Sequence, residues 1–143
     1  MSTKKTGQFV ILLIVSLTVL GAQSAERPAD ADDEEWEKIF DVDEYDVTWL
    51  LGDTRNDGRT DYALKRDDRG RKRFEAVDFN GDGLMDDFYL YIGGVLVRQE
   101  LDTNFDGAVD LWIFMHDGVR VAAYERDTNY DGTVDLVKEF GDS

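Results

Sequence analysis

The chain has 143 residues, with 32 acidic side chains against 16 basic ones, one histidine, no cysteine and a net charge of −16. Lack of cysteine excludes disulfides, thiolate metal sites, a cysteine nucleophile and a lipid-modified cysteine, and the acidity argues against nucleic acid, whose phosphates would repel it. A content of 42% hydrophobic and 12% aromatic residues is nevertheless too high for a purely solvated chain, and the length predicts one domain.

The first segment reads as an address. Lys4 and Lys5 precede an apolar run from Phe9 to Val15 that continues through Leu17, Val19 and Leu20. Gly21, Ala22, Ser24 and Ala25 follow, and no acid occurs before Glu26. A charged start, an apolar stretch and a small-residue zone predict a secretory signal peptide over 1–25, cleaved after Ser24 or Ala25. The competing reading is an uncleaved anchor, for which the run is short. Export implies a periplasmic or secreted protein with no membrane span after signal removal. Its charge is then −18, because two lysines and no acid are lost.

Residues 26–45 are an acidic lead-in that contains the only proline, Pro28. Dense like charge keeps such a segment solvated. Trp36, Ile39 and Phe40 have the i, i+3, i+4 spacing of a short amphipathic helix capped by Asp32 or Asp33, with an extended linker as the alternative.

From residue 46 to 143 the chain repeats. Four nine-residue segments align, 53–61, 78–86, 102–110 and 127–135, with first aspartates 25, 24 and 25 positions apart. The last three read D-x-N-x-D-G-x-x-D without exception, whereas the first has Arg55 in place of the asparagine. The pattern fits calcium. A hard cation takes six to eight oxygens at about 2.3–2.6 Å, and a tight loop supplies them when alternate side chains point inward. Positions 1, 3 and 5 give side-chain oxygens, glycine at 6 allows the turn, position 7 gives a carbonyl and position 9 closes the shell. The expected ligands are Asp78, Asn80, Asp82, Leu84 and Asp86; Asp102, Asn104, Asp106, Ala108 and Asp110; and Asp127, Asn129, Asp131, Thr133 and Asp135. Asp53, Asp57 and Asp61 form a weaker set, because Arg55 puts a cation where a ligand belongs. Ordinary Asp-Gly hairpin turns need no ion, but they do not require aspartate at positions 1, 5 and 9 together. Clustered carboxylates without a cation repel one another.

An EF-hand loop would close with a carboxylate at position 12, where this chain has Leu64, Tyr89, Ile113 and Lys138. Between the third and fourth loops lie only residues 111–126, broken by His116-Asp117-Gly118. That is room for two strands and not for two helices. Leu111–Met115 and Val119–Tyr124 are β-branched and aromatic enough to be those strands. The same logic puts plain turns at 67–70 and 93–94. The fold class expected is therefore all-β: an antiparallel meander of about eight strands, near 46–51, 60–66, 71–77, 85–92, 95–101, 109–116, 119–126 and 134–140. All four calcium-loop hairpins would lie along one edge, with neighbouring ions on the order of 10 Å apart. Strand 109–116 is apolar on both faces, which calls for a small barrel or for an open curled sheet covered by residues 36–45.

These loops with their flanking strands resemble the calcium-binding hairpin loops of FG-GAP repeats in integrin-like propellers, whose closing aspartate matches Asp86, Asp110 and Asp135. The resemblance covers the nine-residue loops and implies the ion and the hairpin. It does not imply a propeller, since blades are far longer than 25 residues and no FG-GAP signature precedes the loops. Over the whole chain the sequence is more similar to small exported bacterial proteins with EF-hand-like aspartate repeats.

Catalysis has little support in the sequence. The only serine after the leader is Ser143, so an activated hydroxyl or thiol nucleophile of the serine or cysteine type is lacking. His116 falls in a turn, the loops account for the aspartates without leaving a distinct carboxylate pair, and Trp36, Trp49 and Trp112 suit a core. The expectation is a non-enzymatic, exported module with Ca²⁺ as its cofactor, binding an envelope protein or a polysaccharide. The alternative is an envelope hydrolase or inhibitor in which calcium is purely structural. An aromatic patch with a convergent carboxylate pair would favour that alternative.

Overall fold

The computed structural model describes residues 38–141. The expected signal peptide, the rest of the acidic segment before residue 38, Asp142 and Ser143 lie outside the described residues. Eight strands form one sheet in sequence order: β1 Leu50–Gly52, β2 Tyr62–Arg66, β3 Lys72–Val77, β4 Asp87–Ile92, β5 Val95–Leu101, β6 Leu111–His116, β7 Arg120–Arg126 and β8 Leu136–Glu139. Every neighbouring pair is antiparallel, and β1 and β8 do not pair with each other, so the sheet is an open meander and not a barrel. The four long connections alternate with three plain turns, which puts all four aspartate loops at the same end of the strands.

Residue pairing separates the two faces. One transverse row runs Ala63–Ala76–Phe88–Glu100–Trp112–Glu125–Val137 across seven strands. On the other face Leu50–Leu64–Glu75–Tyr89–Gln99–Ile113–Tyr124–Lys138 cross all eight. This second row contains the twelfth position of every loop (Leu64, Tyr89, Ile113 and Lys138). Those side chains belong to strands, three residues beyond the loop's end, and take no part in an EF-hand arrangement.

The first face is covered from the N-terminal side by residues 39–49. Ala63, Ala76, Met85 and Phe88 are fully buried there, with Tyr45, and Ile39, Phe40, Val42, Trp49 and Val109 pack around them. The two alanines leave room for the covering strap. Phe40 meets Phe88 edge-on at 4.9 Å, and Tyr45 meets Trp49 at the same distance with nearly perpendicular rings, both favourable aromatic geometries. The strap is pinned to the second loop: the Val42 N–H donates to the Gly83 carbonyl at 3.1 Å and the Met85 N–H to the Phe40 carbonyl at 2.7 Å. Lys38 reaches across to the buried Glu100 at 2.7 Å.

Residues 38–40 are not helical, and the helical turn among the described residues of this stretch is the 3₁₀ turn Val42–Glu44. The rest of the segment expected as a short helix or a linker lies outside the described residues. One strand boundary is corrected. Strand β1 is shorter than 46–51, because Asp46 folds its carboxylate back onto the Thr48 N–H at 2.8 Å and turns the chain just before it joins the sheet.

Candidate functional site

The four loops share one wiring scheme. At position 1 a carboxylate gathers the N–H groups of the turn: Asp53 accepts from Asp57 and Gly58, Asp78 from Gly81 and Gly83, Asp102 from Asp106 and Gly107, and Asp127 from Asp131 and Gly132. At position 5 a carboxylate accepts the N–H of position 7, from Arg59, Leu84, Ala108 and Thr133. In the three intact loops the position-3 amide also touches position 5, with Asn80, Asn104 and Asn129 donating to Asp82, Asp106 and Asp131 at 2.8, 2.8 and 3.1 Å. Position 9 fastens the neck: Asp61, Asp110 and Asp135 each accept both the N–H and the hydroxyl of the threonine at position 2, and Asp86 accepts the N–H groups of Phe79 and Asn80.

Two positions in each loop carry a positive φ, where sequence analysis assigned one. Position 6 is the expected glycine, at φ 85–94° in all four. Position 4 is also left-handed, at Asn56, Gly81, Phe105 and Tyr130, with φ of 56, 82, 61 and 59°. Phe105 and Tyr130 are held there at a cost of about 1–2 kcal/mol each, which the surrounding carboxylate–amide bonds over-determine. Gly81 and Asn56, two residue types that tolerate this region, were the sequence signal for it.

The loops are also stitched to one another. Each first aspartate donates its N–H to the ninth carbonyl of the preceding loop, Asp78 to Asp61 at 3.0 Å, Asp102 to Asp86 at 2.8 Å and Asp127 to Asp110 at 2.9 Å. The result is one row of three buried aspartate pairs, each residue 2–3% exposed, while the end members Asp53 and Asp135 are exposed. Burial pushes the Asp61 carboxyl up, but hydrogen bonds from Thr54 and Arg55 and the Arg55 charge bring it below the ordinary range. Burial also raises Asp86; the N–H groups of Phe79 and Asn80 oppose the rise only in part, and the Asp78 and Asp82 charges add to it. At Asp127 burial is outweighed by the loop N–H groups, led by those of Gly132 and Asp131, and the carboxyl is lowered.

The donor set suits a hard dication. Each intact loop brings side-chain oxygens of positions 1, 3 and 5 to one turn, and all are hard ligands with lone pairs beyond their internal hydrogen bonds. Among the described residues no three carboxylate or imidazole groups already converge as a metal cluster. The chemical reason is local: the third member of each trio is an amide, and the ninth carboxylate is turned to position 2. Loop 53–61 differs again, since Arg55 lies beside Asp61 and Asp78 at 3.6 and 3.7 Å. His116 closes β6 beside the Asp117–Gly118 turn, 3.1 Å from the Asp117 carboxylate.

One feature of the open face was missed in the sequence. Glu75 accepts from the hydroxyls of Tyr62 and Tyr91 at 2.6 Å each and from Lys72 at 2.8 Å. On β4, Asp87 accepts from Tyr89 and, at 2.9 Å, from Gln99. Burial pushes the Asp87 carboxyl up to about 6, and the hydrogen bonds from Tyr89 and Gln99 offset this only in part. Farther along the same face, Leu111, Ile113, Val121, Tyr124, Leu136 and Phe140 line an open apolar depression beside Arg126. The carboxylate pair escaped notice because only the strand register brings residues 75 and 87 together.

No protein-family profile matches the chain, and no curated protein matches it. A crystal structure of accessory secretory proteins 1, 2 and 3 from Streptococcus pneumoniae is 15% identical over 84% of this chain and 20% of that one, with a TM-score of 0.46. The crystal structure of TarM is 15% identical over 66% of this chain and 21% of that one, with a TM-score of 0.45. This chain thus spans about a fifth of the length of either, and a likeness of that size is silent on function.

Proposed function

We propose that the chain is an exported, non-enzymatic binding or structural module whose loops 78–86, 102–110 and 127–135 hold Ca²⁺. The observation that carries this reading is the row of buried aspartate pairs. Among the described residues Arg55 bridges the pair Asp61–Asp78, and no lysine or arginine lies at ion-pair distance from Asp86, Asp102, Asp110 or Asp127. Backbone N–H groups and the Thr103 hydroxyl stabilise these carboxylates, and a dication at positions 1, 3 and 5 of each intact loop would offset their mutual repulsion further. Its role is that of a folding ligand in a compartment where calcium is near millimolar, the range at which extracellular modules bind. The partner proposed is an envelope protein or a polysaccharide. Calorimetric titration of chelator-stripped mature protein with CaCl₂ tests the reading. About three sites and a preference for Ca²⁺ over Mg²⁺ are expected, and zero stoichiometry overturns it.

A second reading, a hydrolase or inhibitor with structural calcium, draws on the Glu75–Asp87 pair and the tyrosines around it. The first reading leads because both carboxylates are engaged by their own neighbours: Tyr62, Tyr91 and Lys72 at Glu75, and Tyr89 and Gln99 at Asp87. Turnover of a polysaccharide that is abolished by Asp87→Asn while calcium binding persists would reverse that order.

A further inference from the structure

The row of loops has its own cation at one end. Arg55 stands at position 3 of the first loop, where the other loops carry asparagine. Its guanidinium bridges the end of that loop and the start of the next. Nε lies 3.6 Å from the Asp61 carboxylate, one terminal nitrogen lies 3.7 Å from the Asp78 carboxylate, and the same nitrogen donates to the Asp78 carbonyl. Arg59 adds a bond to the Gly81 carbonyl at 3.4 Å. Loop 78–86 is shaped to receive it: its position 4 is Gly81, where any Cβ would collide with the Arg55 guanidinium. The equivalent positions of the third and fourth loops are Phe105 and Tyr130, and no arginine enters there among the described residues.

We propose that Arg55 is a built-in counter-ion that keeps loop 53–61 free of calcium and makes loop 78–86 the weakest of the three calcium loops. The inference rests on the calcium reading above. Asp78 is both the first ligand of loop 78–86 and a partner of Arg55. An ion at ligand distance from the Asp78 oxygen sits no more than about 6 Å from the guanidinium, and a unit charge that close to a dication in water lowers affinity on the order of tenfold. Loops 102–110 and 127–135 carry no such penalty, so occupancy fills the row from its C-terminal end towards the strap.

The position-6 glycines report each loop separately. Amide resonances of Gly58, Gly83, Gly107 and Gly132 are followed while CaCl₂ is titrated into ¹⁵N-labelled, chelator-stripped mature protein. Gly107 and Gly132 are expected to shift first, Gly83 at roughly tenfold higher calcium, and Gly58 not at all. Arg55→Asn restores the D-x-N-x-D-G-x-x-D pattern, and in that variant the Gly83 midpoint is expected to fall towards the other two while Gly58 begins to respond. Arg55→Lys keeps the charge and should keep the wild-type order. If Gly83 titrates together with Gly107 in the unmodified chain, or if Arg55→Asn leaves the order unchanged, the counter-ion role is overturned while calcium binding stands. If none of the four glycines moves, the calcium reading fails and this inference with it.

Discussion

Removing calcium from the mature protein tests the central physical claim, and its size follows from the loops. A site with a dissociation constant near 0.1 mM contributes about 1.4 kcal/mol at 1 mM calcium and one held tenfold weaker about 0.4 kcal/mol, so loops 102–110 and 127–135 together with loop 78–86 contribute roughly 3 kcal/mol. That is comparable to the whole stability of a marginal small domain. For a domain of this size, about 3 kcal/mol corresponds to a shift in melting temperature of about 12–25 °C. Three ions bring the charge of the mature chain from −18 to −12, and the relief is local, because each intact loop holds three carboxylates of its own. The assay is thermal melting followed by far-ultraviolet circular dichroism, in 1 mM CaCl₂ and again with excess chelator. Asp106→Ala separates the ion's share from that of the loop. The substitution also removes the bonds from Ala108 N–H and Asn104, so the quantity compared is the calcium-induced increment and not the absolute melting temperature. That increment should fall by somewhat under half relative to the unmodified protein, because loop 102–110 is one of two strong sites beside a weaker one. Equal melting temperatures with and without chelator would refute the reasoning and leave the acidic composition unexplained.

Three further outcomes are expected. Phe88→Ala removes a fully buried ring packed on Phe40 and should cost about 3–5 kcal/mol by denaturant titration; a loss under about 1 kcal/mol would show that the strap is not part of the core. Glu75 is pushed up by burial but held below its ordinary value of 4.5 by Lys72, Tyr62 and Tyr91, so its contribution is fully present above the unfolded pKa and is lost as pH falls through the folded one. Glu75→Gln should therefore lower the melting temperature at pH 7, with the difference shrinking as pH falls below 4.5, and a constant difference would contradict this. Phe105 is exposed with φ of 61° and Gly107 has φ of 85°, so Phe105→Gly should be neutral or stabilising by up to about 1 kcal/mol while Gly107→Ala costs about 1 kcal/mol or more; the opposite ranking in chemical denaturation would refute the left-handed assignment at position 4.

The local features of the loops and strands were legible in the sequence because each is specified by neighbouring residues. The D-x-N-x-D-G-x-x-D period gave the loop positions, and Gly58, Gly83, Gly107 and Gly132 gave the turn. The β-branched and aromatic runs between them located all eight strands, most within two residues of where they lie. Deviations at the starts of β4, β6 and β8 share one cause: positions 8 and 9 of each loop, such as Met85 and Asp86, close the neck before the ladder begins. Position 4 was half visible, since Gly81 and Asn56 signal a left-handed residue whereas Phe105 and Tyr130 conceal it.

The sequence alone thus determined the unit: a hairpin with an oxygen-rich loop, repeated four times in an all-β chain. Tertiary structure decided how the units meet. It left the sheet open instead of closing it, and it laid Phe40, Tyr45 and Trp49 over Ala63, Ala76 and Phe88. It also bridged the first two loops with Arg55 and set Glu75 and Asp87 on one face. The placement of Glu75 and Asp87 depends on register between β3 and β4, whose paired residues lie 10 to 16 positions apart in the chain. A slip of one residue would move every side chain to the opposite face, so composition and local spacing carry the alternation while only the assembled ladder fixes which side chains meet.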